Sequence, residues 1–204
     1  MIGIVDYGLG NVQAFANIYK RLNIPAQAVR TGAELRAVDR IILPGVGAFD
    51  WAMTKLEHSG MRESLDQMVL EAHVPVLGIC VGMQMMANGS EEGKLAGLGW
   101  IEGEVVRFKS PNPEETIQLP HMGWNDVVPT AAVALFKGLE ADARFYFLHS
   151  YYFQPAASAS VLAQTFYSKE FASAVHADNV FGVQFHPEKS HSWGIRLLEN
   201  FAVF

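Results

Sequence analysis

One thiol and one histidine–carboxylate pair carry the chemistry this chain could do. The thiol is Cys80, in Gly78-Ile79-Cys80-Val81-Gly82, directly after the apolar run Val74-Pro75-Val76-Leu77. The pair is His186-Pro187-Glu188, at the end of a second apolar run from Val180 to Phe185. A nucleophile, a base and a carboxylate that orients the base are the parts that acyl transfer through a thioester requires. A free cysteine is only a few per cent thiolate at neutral pH, and a helix amino end with a neighbouring histidine raises that fraction. G-x-C-x-G is the cysteine counterpart of the serine nucleophile turn, and glycines at 78 and 82 suit a sharp strand-to-helix bend. Alone, the pentapeptide reads more readily as a buried core thiol.

The second motif reverses that balance. In an extended chain, residues two apart share a face, and Pro187 between His186 and Glu188 favours extension and opposes a helix. One carboxylate can then hold the imidazole tautomer while the ring faces the thiol. Each motif begins where a buried strand ends, which is where ligand sites form in parallel sheets. A third segment, Leu43-Pro44-Gly45-Val46-Gly47, also follows a buried strand. Its amides could bind the oxyanion of a tetrahedral intermediate, together with the amide of Val81, and one such donor is worth ~2.7–4 kcal/mol. A plain strand-to-helix turn explains the segment equally well when it is taken by itself.

Two other chemistries fail on their own patterns. His186, Glu188 and His191 could pass for a ligand set, but the zinc deaminase pattern needs a P-C-x-x-C pair and the zincin pattern needs H-E-x-x-H; neither is present. No metal is expected. Gly8-Leu9-Gly10 opens like a dinucleotide fingerprint, but its third glycine position is Gln13, so no such cofactor is expected.

The elements that must position these residues follow from the hydrophobic pattern. Ile2 to Asp6 is a strand candidate, and Val12 to Leu22 has apolar residues three or four apart, as a helix requires. Ala26 to Arg30 and Arg40 to Leu43 read as strands, the latter stopped by Pro44-Gly45. A long amphipathic helical segment runs from Phe49 to Ala72 with a break near Gly60. The Val74 to Ile79 strand follows, with a helix starting at Met83. Alternation of strand and helix with short Gly/Pro joints predicts an α/β fold, and uniformly apolar strands predict a parallel sheet covered on both faces. Beyond Gly89 the strand candidates crowd together: 103–109, 124–128, 144–153, 160–165, 172–176 and 180–185. This half reads as antiparallel or mixed. A last amphipathic helix is expected over Trp193 to Phe204. With no linker or repeat visible, residues 1–204 are read as one three-layer domain around a mixed, largely parallel sheet.

Composition bounds the function classes. The chain has 204 residues, half of them hydrophobic and 18% charged, so a sizeable core can form. Net charge is −6 and no basic cluster stands out, so no nucleic-acid partner is expected. The single cysteine can form neither an internal disulfide nor a thiolate zinc cluster, which suits a reducing, cytoplasmic setting. The first residues lack the pattern of a secretion leader, and no apolar stretch reaches the ~18–20 residues of a membrane span. No membrane association is expected.

Taken together, the G-I-C-V-G and H-P-E motifs resemble those of the class I (triad) glutamine amidotransferases. Four further motifs are similar to those of one branch, the glutaminase subunits of imidazole glycerol phosphate synthases: Ile4 to Asn11, Leu43 to Phe49, Pro120-His121-Met122-Gly123-Trp124-Asn125, and His149-Ser150-Tyr151-Tyr152. The resemblance spans nearly the whole chain and implies a flavodoxin-like fold. It implies Cys80 as nucleophile toward the glutamine carboxamide, His186 as proton carrier and Glu188 as its orienter. It also implies Gly45, Val46, Gly47 and Val81 around the oxyanion, with Gln84, Ser150 and Tyr151 holding glutamine. The branch usually has leucine where this chain has Val81; only the backbone amide is needed there. By the same resemblance the partner is a (β/α)8-barrel cyclase subunit that receives ammonia for histidine biosynthesis; the stretch from Pro120 to Asn125 is a candidate for part of the interface, and a structural turn with Trp124 in the core explains it equally well. Physically, direct delivery keeps ammonia neutral and nucleophilic, away from bulk water. The alternatives are a free-standing cysteine hydrolase of the same class, a related amidotransferase serving another acceptor, or a catalytically silent interaction module.

Overall fold

Runs that are apolar at every position fold into strands covered on both faces. In the amino-terminal half of the sheet, β1 (Ile2–Val5) and β4 (Val76–Cys80) are such runs, as is β3 (Arg40–Gly45) after its first residue, while β2 (Ala26–Val29) is the edge strand of this half and leaves Gln27 exposed. Every residue of β1 and β4 is buried. The helices α1 (Val12–Arg21), α2 (Gly32–Leu35), α3 (Phe49–His58) and α4 (Arg62–Asp66) lie between them in the chain. Asn11 caps α1 by accepting from the Ala14 amide, and the helix buries Phe15, Ile18 and Tyr19 as its spacing requires. This computed structural model describes residues 1–110 and 116–203.

After β4 come α5 (Val81–Gln84) and the short β5 (Gly89–Ser90), then β6 (Gly103–Arg107), β7 (His121–Asp126), β8 (Val128–Pro129), β9 (Arg144–His149) and β10 (Tyr151–Pro155). The chain continues through β11 (Val161–Tyr167), β12 (Lys169–Ala177), β13 (Val180–Val183) and α6 (His191–Val203). The central sheet has eight strands in the order β2-β1-β3-β4-β13-β12-β11-β8. Its first five are mutually parallel, and β12, β11 and β8 extend it antiparallel. A small sheet β10-β6-β5 and the antiparallel pair β7-β9 complete the structure. The fold is an α/β domain with a mostly parallel sheet flanked by helices, as the strand–helix alternation predicts. Tyr19 ties α1 to α6 by donating to the Leu198 carbonyl at 3.2 Å.

Several local expectations differ from the structure. β3 does not stop before Pro44-Gly45; Pro44 pairs with Ile79 and Gly45 with Cys80. The pairing of β3 with β1 ends at Ile42, so Pro44 needs no ladder donor on that side. The segment 144–153 is not one strand. It breaks at Ser150, and its halves join β7 and β6 respectively. The helix expected from Met83 begins at Val81 and lasts four residues. The helical segment 49–72 does break at Gly60, as expected, with a φ of +70° there. Its far part, Gln67–Glu71, is wound as a π-helix. The terminal helix starts at His191, and Phe204 lies outside the described residues.

Candidate active site

Strand register brings the distant motifs together. β4 lies between β3 and β13, parallel to both, with Cys80 opposite Gly45 and Ile79 opposite Val183. The chain leaving β13 therefore passes beside Cys80 and reaches His186 two residues after Gln184. All three segments emerge at the carboxyl ends of neighbouring parallel strands, the edge where open α/β sheets form ligand sites.

Cys80 occupies a strained turn. Its φ is +54° and its ψ −111°, a conformation that side-chain-bearing residues rarely adopt. The flanking glycines have a different role from the bend expected of them. A Cβ on Gly82 would stand 2.0 Å from the Leu43 carbonyl oxygen, and one on Gly78 would stand 2.7 Å from the Gly82 oxygen. They allow β3, β4 and α5 to approach one another, while the bend itself falls on the cysteine.

His186 is 3% exposed, and its Nδ1 lies 2.9 Å from Glu188 Oε1. The pair does not adopt the extended geometry expected for it. His186 is extended (φ −102°, ψ 93°), but Pro187–Lys189 forms a 3-10 turn with proline in its first turn, where a missing N–H costs nothing. That turn folds Glu188 back onto the ring. Ser190 holds it: its hydroxyl donates to the His186 carbonyl at 2.6 Å and accepts from the Tyr146 amide at 3.0 Å. With Nδ1 engaged by Glu188, Nε2 is left for the cavity. Burial disfavours the charged ring, but the adjoining Cys80 and Glu188 outweigh it and push His186 up to about 10.

A cavity of about 330 Å³ opens at this point. Among the residues singled out from the sequence, Val46, Gly47, Cys80, Val81, Gln84, Ser150, Tyr151 and His186 line it. Gly45 does not; it sits beneath, where a Cβ would meet the Gly82 amide nitrogen at 2.3 Å. Glu188 stands behind His186, its side chain 4% exposed. Gly47 has a φ of +87° and Val46 is 40% exposed, so the loop after β3 is a turn at the cavity mouth. Tyr7 steadies it by donating to the Pro44 carbonyl at 2.7 Å. Burial first, and Cys80 second, raise the Tyr7 pKa, so that hydroxyl stays a donor. Gln84 gives both hydrogens of its amide away, to the Tyr151 carbonyl at 3.1 Å and to Gln184 Oε1 at 3.0 Å. Only its oxygen is left to meet a ligand.

Sequence reasoning missed the lining residues Glu92, Leu148 and Lys189, and it quoted Pro120 and His149 within motifs without placing them at the cavity. It also passed over Gln184, although a glutamine inside an otherwise apolar strand run was a visible signal. Glu92 accepts from the Phe49 amide at 2.9 Å and so caps α3 from across the loop. His149 belongs to a chain of buried polar groups in which Asn125 reaches His121 Nε2 at 3.1 Å, and His121 Nδ1 meets His149 Nε2 at 3.0 Å. His149 Nδ1 then faces the Tyr151 carbonyl at 2.8 Å. Burial holds His121 down to about 4 and His149 down to about 3.

These two rings make stability fall in acid. Unfolded histidine binds a proton near 6.5, and the folded rings do so only well below that. Their contribution is complete above 6.5 and is lost as the pH falls toward 4 and 3. His149 alone is expected to lower unfolding free energy by about 2 kcal/mol between pH 7 and pH 5, with His121 acting in the same direction. His186 has the opposite sign: its contribution is full below 6.5 and is lost as the pH rises through about 10. Urea unfolding at pH 7 and pH 5 measures the acid limb; equal stability at the two values would show that the histidine pair is not held neutral.

Among the described residues no group of three or more His, Cys, Asp or Glu could hold a metal ion, and no helix is long and apolar enough to cross a membrane. The model of the family "Glutamine amidotransferase class-I" matches residues 4–203. The chain is 60% identical over 202 residues to the imidazole glycerol phosphate synthase subunit HisH of Bdellovibrio bacteriovorus, covering 99% of each chain. It is 50% identical to the subunit of the same name from Leptospira interrogans, again covering 99% of each. Among solved structures, one titled as a glutamine amidotransferase superposes with a TM-score of 0.76 over 99% of both chains at 21% identity, which speaks to the fold.

Proposed function

The chain belongs to the class-I glutamine amidotransferases, and from that premise we propose that Cys80, His186 and Glu188 are the nucleophile, proton carrier and orienting carboxylate of its glutaminase reaction. Identity of 60% across the full chain makes it the glutaminase subunit of an imidazole glycerol phosphate synthase. The observation that best supports the site assignment is a single cavity lined by Cys80 and His186, with Glu188 Oε1 2.9 Å from the far nitrogen of the ring.

In the proposed reaction the Cys80 sulfur attacks the side-chain carbonyl carbon of glutamine. His186 gives its proton to the departing nitrogen, so ammonia leaves and a γ-glutamyl thioester remains. Water then attacks the thioester, His186 takes its proton, and glutamate leaves as the thiolate is restored. Backbone amides of the Gly45-Val46-Gly47 loop and of Val81 would stabilise the oxyanion. Gln84, through its oxygen, would accept from the amino end of the substrate, with Ser150 and Tyr151 completing the pocket.

The relatives are named as subunits of a synthase, and we propose that this chain works in a complex with a cyclase subunit. We place that partner, a (β/α)8 barrel, over the cavity mouth, so that ammonia passes into it directly; a cytoplasmic setting suits the free thiol. Val46 and Leu148 line that mouth and are exposed, and β7 adds exposed Met122, paired with Leu148, and Trp124 two residues on, so apolar surface continues outward from the rim. Trp124 is held against His191, the ring centroids 5.3 Å apart and nearly parallel. Glutamate release by the isolated chain is expected to be weak, and to rise about a hundredfold or more with the cyclase subunit and its nucleotide ligand, if the partner completes the oxyanion site. Full activity in the isolated chain would assign it instead to a free-standing hydrolase.

A further inference from the structure

Gln184 lies next to the nucleophile yet belongs to neither the triad nor the oxyanion loop. It is completely buried. Its place follows from register: it comes one step after Val183, which pairs with Ile79, and so it stands beside Cys80. Its Nε2 lies 3.6 Å from the Cys80 sulfur as a donor. Its backbone amide donates to Ser173 O at 2.9 Å, which holds the residue to β12.

The direction of its side-chain amide is set by its neighbours. The Tyr151 carbonyl can only accept, so Gln84 must turn its NH2 toward it. The second hydrogen of the same NH2 goes to Gln184, which must therefore present its oxygen to Gln84. The NH2 of Gln184 is then left facing sulfur. The Tyr151 carbonyl is itself fixed by the second donor on it, His149 Nδ1 at 2.8 Å. A flipped Gln184 would mismatch two contacts at once, oxygen against sulfur and NH2 against NH2, in a buried place where unmatched polar groups are costly.

We propose that Gln184 is a positioning residue for the nucleophile, its side-chain amide donating to the Cys80 thiolate and holding the sulfur in line with the cavity. This rests on reading Cys80 as the nucleophile. The imidazole of His186 gives up its proton in the first half-reaction and regains one in the second. The Gln184 amide keeps its protons throughout, so it is the fixed donor to sulfur when the thiolate is poised for attack and again when it leaves the thioester. A donor to a charged acceptor of this kind is among the stronger hydrogen bonds.

The test uses two variants of the full chain, assayed together with the cyclase subunit for turnover and without glutamine for alkylation of Cys80 by iodoacetamide. Q184E keeps the acceptor toward Gln84 and replaces the donor to sulfur by a carboxylate oxygen. It is expected to slow alkylation at pH 7 by about tenfold or more, to move the pH–rate profile of alkylation to higher pH, and to lower kcat by a similar factor, with KM for glutamine within about threefold of the parent. Q184M, which removes the donor without adding charge, should show the same changes on a smaller scale and decides the matter if Q184E fails to fold. Unchanged alkylation in a folded variant overturns the proposal. So does a loss of turnover that resides in KM while alkylation stays as in the parent. Alkylation needs no glutamine, so a parent enzyme that is alkylated but cleaves no glutamine would refute the functional reading and leave the role of Gln184 still measured.

Discussion

Replacing Cys80 with alanine is expected to lower glutamine hydrolysis by on the order of 10⁴-fold or more, because the reaction then has no atom on which to form the thioester. Unfolding should not be the reason. The residue is small, and the turn it occupies is set by its neighbours. Stability can be used to prove the point. Cys80 sits at φ +54° and ψ −111°, and alanine inherits that strain, whereas glycine escapes it. Cys80→Gly should therefore be more stable than Cys80→Ala by about 1 kcal/mol, although glycine ordinarily costs stability. Denaturant titration of the two variants, with glutamate release measured on the same preparations, gives both answers. Retention of a few per cent of parental turnover by either variant would remove Cys80 from the chemistry. A glycine variant less stable than alanine would show that the turn stores no strain.

A large loss of stability is expected from Gly82→Ala. Its added methyl would meet the Leu43 carbonyl oxygen at 2.0 Å and the Leu43 carbonyl carbon at 3.0 Å. These are backbone atoms of a strand held between β1 and β4, so no flexible side chain can yield. Either β3 moves away from α5 or the turn after Cys80 opens. A loss of about 3 kcal/mol or more is expected, on the scale of overpacking a rigid site and disturbing a strand ladder, and soluble yield should fall with it. Whatever protein folds should have lost most of its activity, since the same shift moves Val81 in the cavity lining and Gly45 beneath it. Urea unfolding and a glutaminase assay check the two halves separately. A variant with parental stability would mean that the approach of β3 to α5 is loose.

How far the sequence could be read depended on the range of the forces concerned. The α/β class was legible because strand and helix periodicities are local: Ile2 to Val5 and Val76 to Cys80 are apolar at every position, and Phe15, Ile18 and Tyr19 mark one face of α1. The nucleophile and its base were legible as residue types at strand ends, and the family resemblance supplied the rest of the candidate pocket. What local pattern could not show was any effect that depends on a partner strand. Pro44 could remain in β3 only because β1 had already ended beside it. Gln184 looked like a stray polar residue until the parallel pairing of β4 and β13 set it against sulfur.

The amino-acid sequence by itself determined which groups could react and which segments would be strands or helices, because those depend on side-chain chemistry and on spacing along a few turns of backbone. The tertiary structure alone decided the distances between them. Cys80 and His186 are more than a hundred residues apart, and only the choice of neighbouring strands brings them to one cavity. It also decided where the strain lies, on the cysteine and not on its glycines, because the glycines were needed to let three backbones close to within van der Waals contact. It decided the direction of each buried amide as well, since a hydrogen bond is directional and its orientation is set by every partner in the chain of contacts.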